Sequence, residues 1–437
     1  MHYPKHPNYN QIGGFVTEYA RLAHEYGCRG VQPVVSRLER EIQNTVRKLS
    51  KLPVDKELAL KEPNDYKSIL KLRPRGPRRI WDTLDEKVYR EKLEGALLGR
   101  MAACTLGTIV EFWEVDRMER FAKELGQAFP PVDYWKRAVD PLALRYQFMR
   151  RECYTRDKMD GVPVDDDIAY TLLGLLTVEA FGPDFTVAEN GKSWVKYLPH
   201  ACTAEDIALK NLKRKVPATK VADINNPYCE WIGADIRSDP FGYMAPGLPE
   251  RAAGMAYRDA YLSHRRQGIY GEMFFSAAIA AAFTVKEPLD AIKIGLTEIP
   301  AECSLAKAVK WAMATKVRNY KDARKAVNGH FGAGGAYEGM SGVHTNNNAC
   351  LTIFGLKIGG NDFTKVISET VAMGLDNDCT AATAGSIVGA IVGKKGIPSH
   401  WTRPFHNKVH SYLIGKPLFR IDDLVSRFTK QAHKIFG

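Results

Sequence analysis

Two short acidic stretches carry the residue types best suited to chemistry. In GLDNDCTAATAGSIVGAIVGKKG, residues 374–396, Asp376 and Asp378 stand one residue apart before a run of small and β-branched residues. In PVDDDIAYTLLGLLTVEAF, residues 163–181, Asp165, Asp166 and Asp167 precede an apolar pattern running through Leu172, Leu175, Leu176 and Phe181. Both read as helix starts. A single aspartate there accepts hydrogen bonds from the unpaired N–H groups of the first turn, and the helix dipole favours its charge. Three adjacent carboxylates exceed what a cap requires, and they repel one another more strongly when buried. A hard divalent cation such as Mg²⁺, Mn²⁺ or Ca²⁺ relieves that repulsion through oxygen ligands. Spacing alone leaves capping and cation binding both open. Residues i and i+2 of an extended segment project to one side. From such a lead-in, Asp376 and Asp378 are expected to reach one ion or two adjacent ions. A calcium-binding EF-hand is excluded, because Ala381 and Ile387 occupy the positions that require glycine and glutamate.

The elements that must position these residues read as helices. Gly385, Gly389 and Gly393 recur every four residues after the Asp376 pair. That stripe permits close backbone approach and predicts a buried helix. Helical spacing also predicts helices over 87–103, 166–181, 249–267, 271–285, 288–297, 302–316, 346–357, 361–374 and 379–393. Period-2 alternation is scarce, and no fixed-period repeat occurs. An all-α fold is expected. The first 50 residues are also helical in pattern, with Val31, Val34, Val35, Leu38, Ile42, Val46 and Leu49 on one face. LKLRPRGPRRIW, residues 70–81, holds two prolines, a glycine and clustered arginines, which suits an extended link. The expected organisation is a helical N-terminal extension over 1–85 and one domain over 86–437.

Composition narrows the function classes. The 437 residues are 45% hydrophobic and 26% charged, ordinary for a globular chain with a sizeable core. Net charge is +12, and residues 1–90 hold 18 Lys and Arg against 11 Asp and Glu. The basic–aromatic interleaving of a nucleic-acid groove is missing, so a solvated basic surface is expected. The longest apolar runs, 274–285 and 384–393, fall short of the roughly 20 residues of a membrane span. No apolar leader and no Asn-x-Ser/Thr acceptor is visible, which points to a cytoplasmic protein. The eight cysteines form no C-x-x-C pair and are expected to pack as small buried hydrophobes. No phosphate-binding P-loop, dinucleotide fingerprint or G-x-S-x-G elbow occurs.

Six ordered motifs resemble the ADP-ribosylglycohydrolase superfamily, which includes the dinitrogenase reductase-activating glycohydrolases. GALLGRMAACTLGTIVEF (95–112) resembles its opening helix and loop, with Gly95, Gly99, Leu106, Gly107 and Glu111 matching. DDDIAYTLL (165–173) resembles the Thr-Asp-Asp motif. IGADIRSDPFG (232–242) resembles the glycine-rich substrate loop through Gly233, Arg237, Pro240 and Gly242. LSHRRQGIY (262–270) resembles a Thr-His segment through His264. DNDCTAATAGSIVGA (376–390) resembles the Asp-x-Asp-Thr motif, and IPSHW (397–401) the closing Ile-Pro-x-x-Trp.

This resemblance implies a compact all-α domain with a binuclear Mg²⁺ or Mn²⁺ centre in a cleft, with Ca²⁺ as an alternative. The reaction implied is cleavage at the anomeric carbon of ADP-ribose carried on a protein or small acceptor. Asp165, Asp166, Asp167, Asp376 and Asp378 are the implied metal ligands. Glu111, Asp166 and Asp378 are the implied catalytic residues, with Glu111 in a loop over the site. Gly233 and Arg237 are expected to meet the diphosphate. His264, and His344 with Asn347 in the GVHTNNNAC stretch, are candidate pocket residues, with core packing or helix capping as their ordinary roles. Tyr257, Tyr261, Tyr270 and Phe274 are expected in the core. The chain departs from the pattern at Asp165 and Cys379, where threonine is usual, and at Ala103–Cys104, where Gly-Asp is common. A thiol is a poor Mg²⁺ ligand, so these changes bear on metal number and identity. They keep two further readings open: the same fold acting on another ribosyl or sugar substrate, and a non-catalytic ADP-ribose-binding protein.

Overall fold

The computed structural model describes residues 3–436. Its contacts divide the chain into two units, one up to Leu60 with His330–Met340, the other Lys61–Gly329 with Ser341 onward. The contact division falls at Leu60, ahead of the boundary expected at 85. Residues 61–85 pack on the larger unit because their charges and carbonyls are used there. Arg73 and Arg78 both donate to the fully buried Glu298, at 2.6 Å each. Tyr66 packs on Tyr257, with ring centroids 4.7 Å apart. In the smaller unit, helices Tyr9–Glu25 and Val31–Leu49 bury no residue.

The larger unit is helical, as expected. Among the described residues only Lys408–His410 and Leu418–Arg420 pair as strands, antiparallel. At its centre, helix Glu86–Thr108 crosses helix Asn377–Val392. The glycine stripe explains how. A Cβ on Gly95 would fall 2.3 Å from the Gly389 carbonyl oxygen, and one on Gly99 would fall 2.3 Å from that of Gly385. No side chain fits between the two backbones, so the helices touch main chain to main chain. One residue before the end of the first helix, a Cβ on Gly107 would lie 2.4 Å from the Cα of Asp378. The crossing thus holds the acidic helix start directly against the opening helix.

Several predicted elements end differently. The segment 249–267 is helical only over Pro249–Ala260, and a new helix starts at Gln267 after Arg266 turns at φ +47°. Helices Val115–Glu124, Val187–Tyr197, Thr203–Lys213, Tyr320–Phe331 and Ile421–Phe436 come in addition to those expected. Tyr270 and Phe274 are buried as expected, whereas Tyr257 and Tyr261 are half-buried, with the Tyr257 hydroxyl donating to the Asn64 carbonyl at 3.1 Å. Cys104, Cys303, Cys350 and Cys379 are buried free thiols. Cys28, Cys153 and Cys202 are exposed, contrary to expectation.

Candidate active site

The two acidic helix starts meet at the floor of one cavity of about 340 Å³ in the larger unit. Asp166 and Asp167 open helix Asp166–Phe181, with Asp165 as its cap. Asp376 caps helix Asn377–Val392, and Asp378 lies in its first turn. The expected extended lead-in is therefore corrected: backbone helicity, not strand alternation, sets the relation of Asp376 to Asp378. Asn377 between them turns inward and donates to the carbonyl oxygens of Val371 and Val110, at 3.0 and 3.3 Å. It anchors the turn while its two neighbours stay with the cavity.

The ordinary capping role separates the aspartates. The Asp165 side chain accepts from the Asp167 N–H at 3.0 Å and from the Thr108 hydroxyl at 3.0 Å, so it works as a cap. The Asp376 side chain accepts no capping bond. Asp378 is 4% exposed, and its Oδ1 has no partner. A buried carboxylate oxygen left unbonded is costly, and a cation is the natural partner for it. Ligand oxygens of Glu111, Asp376 and Asp378 lie within 4.8 Å of one another. These hard donors fit a divalent cation, with Asp166 on the same cavity wall. A second group, Cys104, Asp165 and Asp167, has the same spread. This group is already partly engaged: Arg100 donates to Asp167 Oδ1 at 3.1 Å, and Asp165 accepts from the Asp167 N–H and the Thr108 hydroxyl. Cys379, where the related motif has threonine, is a buried thiol.

The cluster is electrostatically strained. Burial, then repulsion from Glu111 and Asp166, pushes the Asp376 carboxyl up to about 8. Burial and Asp166 push Asp165 to about 7. Asp378 is raised by burial, then by Glu111 and Asp376. Burial raises Glu111, with Arg151 acting against it. Asp167 is raised by burial, offset by Arg100.

Two further features hold the geometry. Arg100, fully buried, donates to Thr171, to the Asp167 carbonyl and to the Ile236 carbonyl at 2.8, 2.8 and 2.7 Å. Its Nη1 lies 2.7 Å from Asp239. It ties the opening helix, the Asp166 helix and the 232–242 loop into one frame. The loops carrying Glu111 and Asp376 are joined by the Phe112 N–H donating to the Leu375 carbonyl at 3.0 Å. Phe112 and Leu375 both adopt left-handed backbone, at φ +59° and +61°. Such strain is tolerated where the surroundings over-determine it, and it clusters at functional sites.

The expected pocket residues fare unevenly. Gly233 lines the cavity. Arg237 does not, and the diphosphate contact expected of it is corrected. It is 2% exposed and donates to Asp259, Glu205, Glu272, Ser263 and the Gly233 carbonyl. Its guanidinium has no capacity left for a ligand. His264 is likewise fully buried, with Nδ1 2.8 Å from Ser263 Oγ, and it is absent from the cavity wall. Burial and the nearby Arg237 and Arg265 keep it neutral by lowering its pKa well below the usual value. His344 caps helix Thr345–Gly359 by accepting from the Asn346 N–H. Asn347 bonds the Ser341 carbonyl and the Asn348 N–H. Both are helix-start residues, and the neighbouring Val343 lines the cavity in their place.

Other lining residues escaped the sequence reading. Glu205 sits against Gly233, where a Cβ would fall 2.2 Å from its Oε1. Burial, opposed by Arg237, pushes Glu205 to about 7. In sequence it passes as an ordinary acid of a first helical turn. Tyr170 lies one turn after Asp166, and its buried hydroxyl has no partner. That i, i+4 relation was the available signal. With Phe112, Trp231, Ile232 and Ile236, it makes an apolar wall above the acids. Six lining residues are carboxylic: Glu111, Asp166, Asp167, Glu205, Asp376 and Asp378. Among the described residues no Lys, Arg or His lines this cavity.

Comparison with known proteins bears on most of the larger unit, from residue 85 onward. A family model described as ADP-ribosylglycohydrolase matches residues 85–434. Among solved structures, a chain from an "ADP-ribosylglycohydrolase-related protein complex" is 16% identical, covering 79% of this chain and 99% of that one, with a TM-score of 0.48. No curated protein matches.

Proposed function

The chain belongs to the ADP-ribosylglycohydrolase family, and from that premise we propose that it is a metal-dependent hydrolase of the glycosidic bond at the anomeric carbon of an ADP-ribosyl substrate. The observation that carries this reading is Asp378 Oδ1, buried and unbonded, grouped with Asp376 and Glu111 at the cavity floor. Asp376, Asp378 and Glu111, with Asp166 beside them, would hold Mg²⁺ or Mn²⁺. Bound there, the ion supplies Lewis acidity, a water of lowered pKa and a template for vicinal hydroxyls.

The protein's own groups have distinct tasks. Tyr170 and Trp231 flank the cavity as apolar walls and exclude water from the sugar. Glu111 is half-buried on the loop tied to Leu375, and its raised carboxyl suits proton exchange with a departing group. Asp166 and Asp376 line the same floor, placed to oppose the positive charge that develops at the anomeric carbon. Arg100 keeps Asp167 and the 232–242 loop in register and takes no part in the chemistry.

A second reading, favoured by the all-carboxylate lining, is a ribosyl substrate without a diphosphate. An anionic diphosphate among six carboxylic groups, with Arg237 saturated, has no cationic partner among the described residues that line this cavity. One calorimetry series tests both. ADP-ribose binding by Mn²⁺-loaded protein, abolished in EDTA, supports the first reading. Metal binding without ADP-ribose binding, together with release of sugar from an uncharged nucleoside or ribosyl compound, supports the second. Glu111→Gln should leave metal-loaded protein folded and lower kcat about 10²-fold or more.

A further inference from the structure

Glu111 forms a wall shared by two cavities. One is the carboxylate cavity; the other, of about 190 Å³, lies on the far side of Glu111 and is lined by Trp113, Arg117, Tyr146, Gln147 and Arg151. Its chemistry is opposite. Arg117 lies 3.8 Å above the Trp113 ring, which stacks on Tyr146 with centroids 5.6 Å apart and planes at 21°. Its Nη2 donates to the Tyr146 carbonyl at 3.2 Å. This platform holds the guanidinium in one place. Arg151 donates through Nη2 to Glu111 at 3.0 Å, with 40% of its side chain exposed. The remaining N–H groups of both arginines have no protein acceptor among the described residues. Two cations thus face one carboxylate in a space suited to a single small group.

We propose that this cleft is an oxyanion subsite in which Arg117 and Arg151 bind a phosphoryl or carboxylate group. Arginine's planar fork favours such groups, and charge-assisted bonds to them are strong. The volume is below that of a nucleotide-sized pocket, so one oxyanion is the fitting load. A further step rests on the functional reading above. A substrate with its sugar among the carboxylates and its oxyanion between the arginines would place the connecting bond beside Glu111. Each half would meet the charge it lacks. The anion would also compete with Glu111 for Arg151, freeing the Glu111 carboxylate to turn toward Asp376 and Asp378. Two sources of the oxyanion share this chemistry: the diphosphate of ADP-ribose, and an acidic or phosphorylated group on the acceptor.

The test uses full-length protein in EDTA, so that metal plays no part, with inorganic phosphate as the probe. Calorimetry and quenching of Trp113 fluorescence, with Trp113→Phe as the control for the other tryptophans, should report one saturable phosphate site that weakens with added NaCl. Arg151→Gln and Arg117→Ala should each weaken it about tenfold or more. Arg117→Lys, which keeps a cation on the ring, should lose less than Arg117→Ala, and thermal melts confirm that each variant is folded. In a parallel titration of Mn²⁺-loaded protein, where ADP-ribose is expected to bind, phosphate displaced by ADP-ribose assigns the site to the diphosphate. Phosphate affinity unchanged there under saturating ADP-ribose assigns it to the acceptor. Phosphate binding by a protein that ignores ADP-ribose, with or without Mn²⁺, upholds the subsite and removes the functional reading. No saturable phosphate binding, or binding untouched in folded Arg151→Gln and Arg117→Ala, overturns the proposal.

Discussion

Asp378→Asn should strengthen the metal-free protein and weaken the metal-bound one. In the wild type, Asp378 Oδ1 is buried and unbonded beside Glu111 and Asp376. A carboxyl whose folded pKa exceeds its unfolded value holds its proton more tightly when folded. Folding stability therefore falls as pH rises from the unfolded value, near 3.8, through the folded one. For Asp376 the folded value is about 8 and for Asp165 about 7, so without metal stability should decline from about pH 4 to pH 8. One pKa unit corresponds to about 1.4 kcal/mol, and the shift is shared among coupled carboxyls that border an open cavity. A net cost of about 2–3 kcal/mol at pH 8 is the expected scale. The amide removes one repelling charge, so the variant should melt roughly 2–3 °C higher than wild type in EDTA at pH 8 and show no gain at pH 4. Its Mn²⁺ affinity should fall about 100-fold or more, which removes about 2.7 kcal/mol of metal-induced stabilisation. Thermal melts at pH 4 and 8, each in EDTA and in Mn²⁺, read both effects. A variant less stable than wild type in EDTA at pH 8, or an undiminished Mn²⁺ shift, would refute the reasoning.

Other perturbations separate structure from chemistry. Gly107→Ala places a Cβ 2.4 Å from the Asp378 Cα. It should cost about 1–3 kcal/mol and also weaken Mn²⁺ binding, whereas Gly389→Ala, at the far end of the crossing, should cost similar stability with a smaller effect on metal; melts and metal titration compare the two. Arg237→Ala strips three buried carboxylates of their partner and should destabilise by about 3–5 kcal/mol. Ligand affinity measured on the remaining folded fraction at low temperature should fall only through the cavity-lining Glu205 and Gly233 that Arg237 positions, and by less than in Asp378→Asn, because Arg237 does not itself reach the cavity.

What was legible in the sequence follows from locality. Asp165 to Asp167 and Asp376 to Asp378 announce themselves because a helix start is specified within a few residues, by caps and by the apolar period that follows. The glycine stripe after Asp378 is equally local, and it predicts the close crossing that the backbone contacts at Gly95 and Gly99 display. Helix Thr203–Lys213 stayed hidden because charged residues crowd its exposed face and dilute the apolar rhythm, whereas Ile421–Phe436 does carry a helical apolar period through Ile421, Leu424, Val425, Phe428 and Ala432.

Residue type and spacing thus determined the all-α class, the family and the set of carboxylates that could serve an ion. Only the tertiary structure decided which of them work together. Asp165 is engaged as a cap, while Asp376 and Asp378 are left open to meet Glu111 from the loop after the opening helix. It also decided that Arg237 and His264 turn inward and that Glu205 and Tyr170 face the cavity. The physical reason is the same in each case. A side chain's type is written at one position, but its free capacity depends on which distant donors and acceptors have already claimed it.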